Sequence, residues 1–404
     1  MISPLASTAH DQAPRQWRML ALLATAELLG MSLWFAGSAV APQLQTRFDL
    51  SGGQVAMLTV AVQLGFVIGT ALSALLNLAD VIPARLLFAT AATLGALVSA
   101  PMAVAGSFAM VIASRFVAGV CLAGVYPPAM KMASTWFRER RGLAVGTVVG
   151  ALTIGKAGPY LVHAIPHATV IGVTVVSCSS ALVAAALVFG LYADGPYAFP
   201  PRPFSWSLAT DVLRSRRWRL ATGGYLGHMA ELYSYWTWIP AFLAASVAGD
   251  AHALTAPSSP AIAILSFAVI AVGGIGCVWG GWVADRIGRA PLVIRALVIS
   301  GTCCALIGLS FGRSLWILAP VTIVWGFFII ADSAQFSVLV TESVEPHAVG
   351  TALTLQTSLG FLLTTVTIQT IPPIVRGAGW PWAFAALAVG PVLGVRAIRR
   401  LQRM

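Results

Sequence analysis

Two short stretches half a chain apart decide the fold: Leu78-Ala79-Asp80-Val81-Ile82-Pro83 and Val283-Ala284-Asp285-Arg286-Ile287-Gly288. Each interrupts two long apolar runs, and the two aspartates stand 205 positions apart in a chain of 404 residues. The same offset brings Gly69 onto Gly274. Self-similarity at half the chain length marks a duplicated unit. The loop pair therefore predicts two parallel six-helix repeats.

Outside these loops the chain is too apolar for a soluble fold. Hydrophobic residues make up 58% of it and charged residues 9%, where soluble domains carry about 25% charged residues. A membrane span needs about 20 apolar residues and, with its share of loop, uses roughly 30 to 35, which leaves room for about twelve spans. They are predicted at 17–41, 54–78, 85–104, 108–132, 143–165 and 169–192, then 220–245, 261–284, 291–311, 315–340, 350–371 and 380–397. This divides the chain into an N-terminal segment (1–16), a first bundle (17–193), a linker (194–219), a second bundle (220–397) and a basic tail (398–404). The first apolar run, from Trp17, is long enough to span and has no small-residue cleavage pattern after it, so it is read as a retained helix.

The formal charge of +11 does not point to nucleic acid, because the arginines sit in short loops rather than on one basic face. Alternate loops hold Arg85; Arg138, Arg140 and Arg141; Arg214, Arg216, Arg217 and Arg219; Arg286 and Arg289; and Arg396, Arg399, Arg400 and Arg403. The opposite loops hold only Arg47, Arg313 and Arg376. Arginine-rich loops stay in the cytoplasm. Both termini are therefore predicted to be cytoplasmic, which requires an even number of spans: twelve satisfies this and eleven does not. The linker, with Pro196, Pro200, Pro201 and Pro203 before a basic amphipathic stretch, suits the inner membrane surface. Five cysteines lie in apolar stretches without disulfide or metal spacing and read as small packing residues.

The segment Gly281-Trp282-Val283-Ala284-Asp285-Arg286-Ile287-Gly288-Arg289 resembles the signature loop of the major facilitator superfamily, G-x-L-x-D-x-x-G-R. The resemblance implies an all-α, twelve-helix transporter of two pseudo-symmetric bundles. It also implies that Asp285 caps a neighbouring helix end, that Arg286 and Arg289 engage cytoplasmic partners, and that Gly281 and Gly288 permit the tight turn. Together these stabilise one conformation. The first copy keeps Asp80 and Arg85 but has Leu76 and Pro83 where the family has glycines. Arg115-Phe116-Val117-Ala118-Gly119 resembles the family's R-x-x-x-G pattern, whose buried arginine is associated with proton coupling. Gly146, Gly150, Gly155, Gly158 and Pro159 are similar to the antiporter glycine-proline run, with spacing one residue short and no following glycine pair.

An ionisable group at a helix centre costs on the order of 2.5 to 3.5 kcal/mol, so each needs a partner, a watery cavity or a function. The candidates are Glu27, Arg115, Lys156, His228, Glu231 and Asp332. Two readings of Glu27 stand: a buried bridge to Arg115, or a protonatable group on the central pathway. Lys156, beside Gly155 and Pro159, either meets an anionic solute or pairs with Glu27. Glu231 lies 204 positions after Glu27 and would complete a symmetric carboxylate pair. His228 and Glu231 share a helix face and either carry a proton or join helices by hydrogen bonding. Tyr233 and Trp236, in the same aromatic segment, are candidate solute contacts or packing residues. Asp332 leans to the cavity, because an acid facing lipid costs too much.

The first repeat is thus net positive inside the membrane and the second net negative. An anion leans on the first, and the buried acids of the second are natural proton carriers. The expected function is carriage of a small anionic solute by alternating access, coupled to protons, in the plasma membrane, which in a bacterial cell is the inner membrane. The alternative is a proton antiporter exporting amphiphilic compounds. A monomer in the lipid bilayer is expected, with a small-molecule solute and protons as partners and without cofactor, metal or nucleic acid. No enzyme is expected either: His163 and His167 are spaced i to i+4 with no carboxylate beside them, and His228 with Met229 lacks the further soft ligands a metal carrier needs.

Overall fold

A computed structural model describes residues 5–137, 140–197, 206–254, 259–345 and 348–404. Among them twelve long helices follow one another: α1 (Leu5–Gly30), α2 (Gly52–Leu75), α3 (Ala84–Val104), α4 (Phe108–Ser134), α5 (Arg141–His163) and α6 (Val170–Leu191). The second set is α7 (Arg216–Ala248), α8 (Pro260–Ile287), α9 (Arg289–Ser310), α10 (Leu315–Thr341), α11 (Val349–Ala378) and α12 (Trp380–Gln402). Ten of these are long and apolar enough to cross a membrane. The other two, α1 and α7, carry Glu27 and the polar-aromatic segment from His228 to Trp238. In α7 the lower apolarity follows from the polar side chains it brings to the interior.

Helix starts follow local chemistry. Ser51 and Gln54 form a reciprocal capping box on α2, and Ser107, Thr169, Ser215 and Ser259 accept from backbone N–H groups at the starts of α4, α6, α7 and α8. These caps satisfy donors that the helix leaves open. α4 breaks after Leu122 and resumes at Tyr126, where Pro127 and Pro128 occupy the first turn. Proline is tolerated there because the N–H it lacks has no intrahelical partner. α10 breaks at Asp332.

Without a hydrophobic drive between helices in lipid, close backbone approach at small residues holds a bundle together. A methyl carbon at Gly65 would fall 1.9 Å from the Phe116 carbonyl oxygen, and one at Gly69 would fall 2.6 Å from that of Val120, so α2 and α4 meet backbone to backbone. Gly276 and Gly280 approach the carbonyls of Phe327 and Ala331 in the same way, at 2.3 and 1.9 Å, joining α8 to α10. Corresponding residues in these contacts are 211 positions apart.

The packing therefore corrects the register read from the loops: Gly69 corresponds to Gly280, not Gly274. The difference arises because α2 ends at Leu75 and a short turn, Leu78–Val81, precedes α3, whereas α8 runs to Ile287 and only Gly288 separates it from α9. The two bundles meet along α5 with α8 and α2 with α11. At the first seam Gly150 and Gly274 face each other's carbonyls at 2.7 and 2.8 Å.

Candidate functional site

The site starts where α1 stops being regular. The sequence predicts one helix to residue 41, but α1 ends at Gly30, and the chain passes through a tight turn (Met31–Leu33) into two short helices (Ala36–Ala39 and Ala41–Phe48). The break frees backbone carbonyls inside the membrane, where an unpaired one costs several kcal/mol. Arg115 supplies the donors: Nη1 to Leu33 O at 2.7 Å, Nε to Leu58 O at 3.4 Å, and Nη2 to Trp34 O. The Glu27–Arg115 bridge allowed by the sequence is therefore absent. Arg115 is fully buried and spends its planar fork of donors on the backbone of the break after α1 and of α2.

Lys156 lies opposite this break. Gly155 packs so closely on α1 that a methyl carbon there would sit 2.1 Å from the Leu28 carbonyl oxygen. Lys156 is 2% exposed. Its Nζ donates to the Tyr233 hydroxyl oxygen at 2.6 Å and stands 4.0, 4.9 and 5.3 Å from the ring centroids of Trp34, Tyr233 and Trp236. The ammonium of the first repeat is thus boxed by aromatic faces, two of them from the second repeat.

Glu27 is fully buried one helical turn before Met31, and neither of its oxygens has a hydrogen-bond partner. The direct Glu27–Lys156 contact allowed by the sequence does not form.

Around this box lies a cavity of about 60 Å³ walled by α1, α2, α4 and α5 on one side and α7, α10 and α11 on the other. Besides Lys156 its polar lining comes from Tyr126, Tyr225, Tyr233, Ser333, Ser337 and Thr357. Trp34, Phe66, Tyr233 and Phe361 form one ring cluster with centroid separations of 4.8 to 5.8 Å. This cluster closes the cavity across both repeats. Thr364 also donates to Gln63 between α11 and α2.

The second repeat's charges are arranged differently from the sequence expectation. His228 does not meet Glu231; its Nδ1 lies 3.0 Å from Asp332 Oδ1, joining α7 to the break in α10. Neither Asp332 Oδ1 nor His228 Nε2 has a hydrogen-bond partner among the described residues, and both are buried. Glu231 accepts from Trp325 Nε1 at 2.5 Å and Ser300 Oγ at 3.0 Å, within the second bundle. The symmetric pair with Glu27 is absent as well. The cavity stripe of α7 is Tyr225, Met229, Leu232, Tyr233 and Trp236, and Glu231 stands off it. Around α7, Glu231 stands about 100° from Leu232 and about 160° from Met229 and Tyr233, so it points away from the cavity stripe and into its own bundle.

At the inner ends of α5 and α8, the Asp285 carboxylate oxygens lie 3.6 and 3.8 Å from where a methyl carbon on Gly142 would stand, in the first turn of α5. A helix start favours negative charge. Gly281 backs onto the Gly142 carbonyl oxygen at 3.3 Å. Gly288 turns the chain at φ +89°, in a region glycine enters without cost. Arg286 stacks on Trp282 at 3.5 Å, and Arg289 Nη1 meets Glu342 Oε1, just past the end of α10, at 2.6 Å. Arg85 is exposed in the first turn of α3. The side chains of Asp80 and Arg141, and the whole of Arg138, lie outside the described residues.

Sequence reasoning missed Trp34, Phe66 and Phe361, the core of the aromatic closure, because a ring in an apolar run carries no mark of its partners. Trp325 and Ser300 were missed for the same reason. Only the buried charge of Glu231 signals that such donors must exist.

The family model of the Major Facilitator Superfamily matches residues 22–368. A hexuronate transporter of Escherichia coli (strain K12) is 23% identical over 412 residues, covering 95% of this chain and 93% of that protein. Among solved structures, a bacterial homologue of the human lysosomal transporter Spinster, inward-facing and unoccupied, superposes with TM-score 0.72 at 14% identity, covering 97% and 98% of the two chains. The nucleoside transporter NupG superposes with TM-score 0.69 at 16% identity, covering 95% and 99%.

Proposed function

The chain belongs to the major facilitator superfamily, and on that premise we propose that it carries a small organic anion by alternating access, coupled to protons. It is a multi-pass membrane transporter rather than an enzyme. The observation that carries the anion assignment is Lys156, a buried ammonium in the central cavity with no carboxylate hydrogen-bonded to it. The relative that transports hexuronates, which are anions, supports the same class.

Tyr233 extends the reading. Its oxygen accepts from Lys156, which leaves its own O–H free to donate. A solute carboxylate at this point takes an N–H from α5 and an O–H from α7, so one anion bridges the two bundles. A solute held from both bundles couples their movement and favours whichever arrangement it fits better, as a ligand with differential affinity for two states must. The hydroxyls of Tyr126, Tyr225, Ser333, Ser337 and Thr357 suit the uncharged, hydroxylated remainder of a sugar acid. The cavity is too small for such a solute in this closed form, since ligand sites run from about 300 Å³ upwards, so binding requires the bundles to part.

Protons are assigned to Glu27, a fully buried carboxyl whose oxygens have no hydrogen-bond partner, and to the His228–Asp332 pair with Glu231. Asp285 and Gly281 hold the inner seam shut against the start of α5, while Gly288 turns the chain and Arg286 and Arg289 brace the loop on Trp282 and Glu342 within the second bundle. A monomer is taken as the unit of transport, because the two bundles of one chain wall the central cavity between them.

The test is uptake of a sugar-acid and small-anion panel into proteoliposomes with and without a proton gradient. No anion moved, or Lys156→Gln moving anions as well as the native protein, refutes the proposal. The aromatic lining favours a second reading, export of amphiphiles. Raised drug susceptibility in a deletion strain, with no anion uptake, would select it.

A further inference from the structure

On the side that holds both termini, charge is spread unevenly between the two repeats. α7 and α12 run antiparallel along one seam, with Gly223 against Ala397 and Gly227 against Gly390 and Gly394. The seam therefore ends where the first turn of α7 meets the last turns of α12. Arg216, Arg217 and Arg219 stand on one side, Arg396, Arg399, Arg400 and Arg403 on the other, all exposed. Arg214, at the end of the linker helix Trp206–Arg214 packed against α11, adds another. Among the described residues none of these arginines is in an ion pair.

The matching seam of the first repeat, α1 on α6, does not share this feature. It has Arg15 and Arg18 on α1, Arg15 standing over the Trp136 ring at 5.6 Å, and α6 runs out through Leu191-Tyr192-Ala193-Asp194 without an arginine. Orientation in the membrane needs only an excess of positive loops and gives no reason for one seam to collect eight arginines. A second observation points to a ligand with both a tail and a charge. Val389, Val392 and Leu393 are 61, 50 and 53% exposed, and Arg396, Arg399, Arg400 and Arg403 continue the same face at helical spacing. The outer face of α12 is thus apolar along the membrane and cationic at its edge.

We propose that the inner end of the α7–α12 seam binds an anionic phospholipid whose headgroup carries two phosphates. Its acyl chains lie along Val389, Val392 and Leu393, and its phosphates lie between the arginines of the two helix ends. Guanidinium groups match phosphate oxygens two at a time, and clusters of this kind beside the cytoplasmic ends of spans recognise anionic headgroups.

The experiment is native mass spectrometry of the full-length protein from detergent, titrated with diphosphatidylglycerol or phosphatidylethanolamine. Diphosphatidylglycerol should be retained preferentially and lost as salt rises. A basic residue at an anionic surface contributes about 1 kcal/mol, so the triple change Arg399→Gln, Arg400→Gln and Arg403→Gln should weaken retention about a hundredfold. The double change Arg15→Gln and Arg18→Gln should leave it unchanged. Equal retention of both lipids, retention unaltered in the triple variant, or full displacement of the lipid by inorganic pyrophosphate would overturn the proposal. If the triple variant does not fold, the native protein's choice between the two lipids and its salt dependence decide the matter.

Discussion

Replacing Tyr233 by phenylalanine removes one oxygen and keeps the ring. The ring contacts with Trp34, Trp236 and Phe361, at 5.8, 5.1 and 5.1 Å, remain available. What is lost is the 2.6 Å hydrogen bond from Lys156. A hydrogen bond to a charged group contributes about 1.5 to 3 kcal/mol, and the ammonium left behind keeps only its faces on aromatic rings, each worth about 0.5 to 2 kcal/mol. A double-mutant cycle of Tyr233→Phe with Lys156→Met, read as unfolding free energy in micelles, should give a coupling of about 1.5 to 3 kcal/mol. Uptake by Tyr233→Phe should need about ten to a hundred times more solute for half-saturation, with the maximal rate kept, if the hydroxyl donates to the solute. Coupling within about 0.5 kcal/mol of zero refutes the hydrogen bond. Normal coupling with unchanged half-saturation leaves the hydrogen bond standing and refutes the clamp.

Further outcomes follow from the same geometry. Arg115→Lys replaces a fork that serves three carbonyls by a single point charge; with about 1 to 3 kcal/mol lost per carbonyl left unpaired, monodisperse protein recovered by size-exclusion chromatography should fall sharply. Gly150→Val puts a side chain where a methyl carbon already stands 2.7 Å from the Gly274 carbonyl oxygen. The bundles should then fail to close at this seam, and single-cysteine labelling of the inner ends of α5 and α8 should become fast. Asp332→Asn breaks the His228–Asp332 pair; proton-driven accumulation should be lost while solute exchange persists, and intact accumulation would remove the pair from the proton route. Arg289→Ala breaks a pair whose members are 39 and 50% exposed, so thermal stability should change by no more than about 1 kcal/mol.

Much of the architecture was legible in the chain itself. Apolar run length and the sidedness of arginine depend on the bilayer alone, so the twelve spans and the placement of the termini follow from composition. The loop Gly281 to Arg289 carried the family, because its pattern of glycines and charges is complete within nine consecutive residues, although the helix start that Asp285 meets lies at Gly142. The buried charges were legible as a set, since each is costly wherever it points. Their partners were not. Whether Arg115 meets Glu27 or the carbonyls of Leu33, Trp34 and Leu58 depends on α1 breaking at Gly30, and nothing in an apolar run announces that break. Whether Glu231 faces the cavity or Trp325 depends on about 100° of helix rotation, less than the uncertainty of a repeat aligned on one loop. The loop pair fixed that there are two repeats. Only close packing at Gly65, Gly69, Gly276 and Gly280 decided their register, because contact distances between backbones resolve single residues and hydropathy does not.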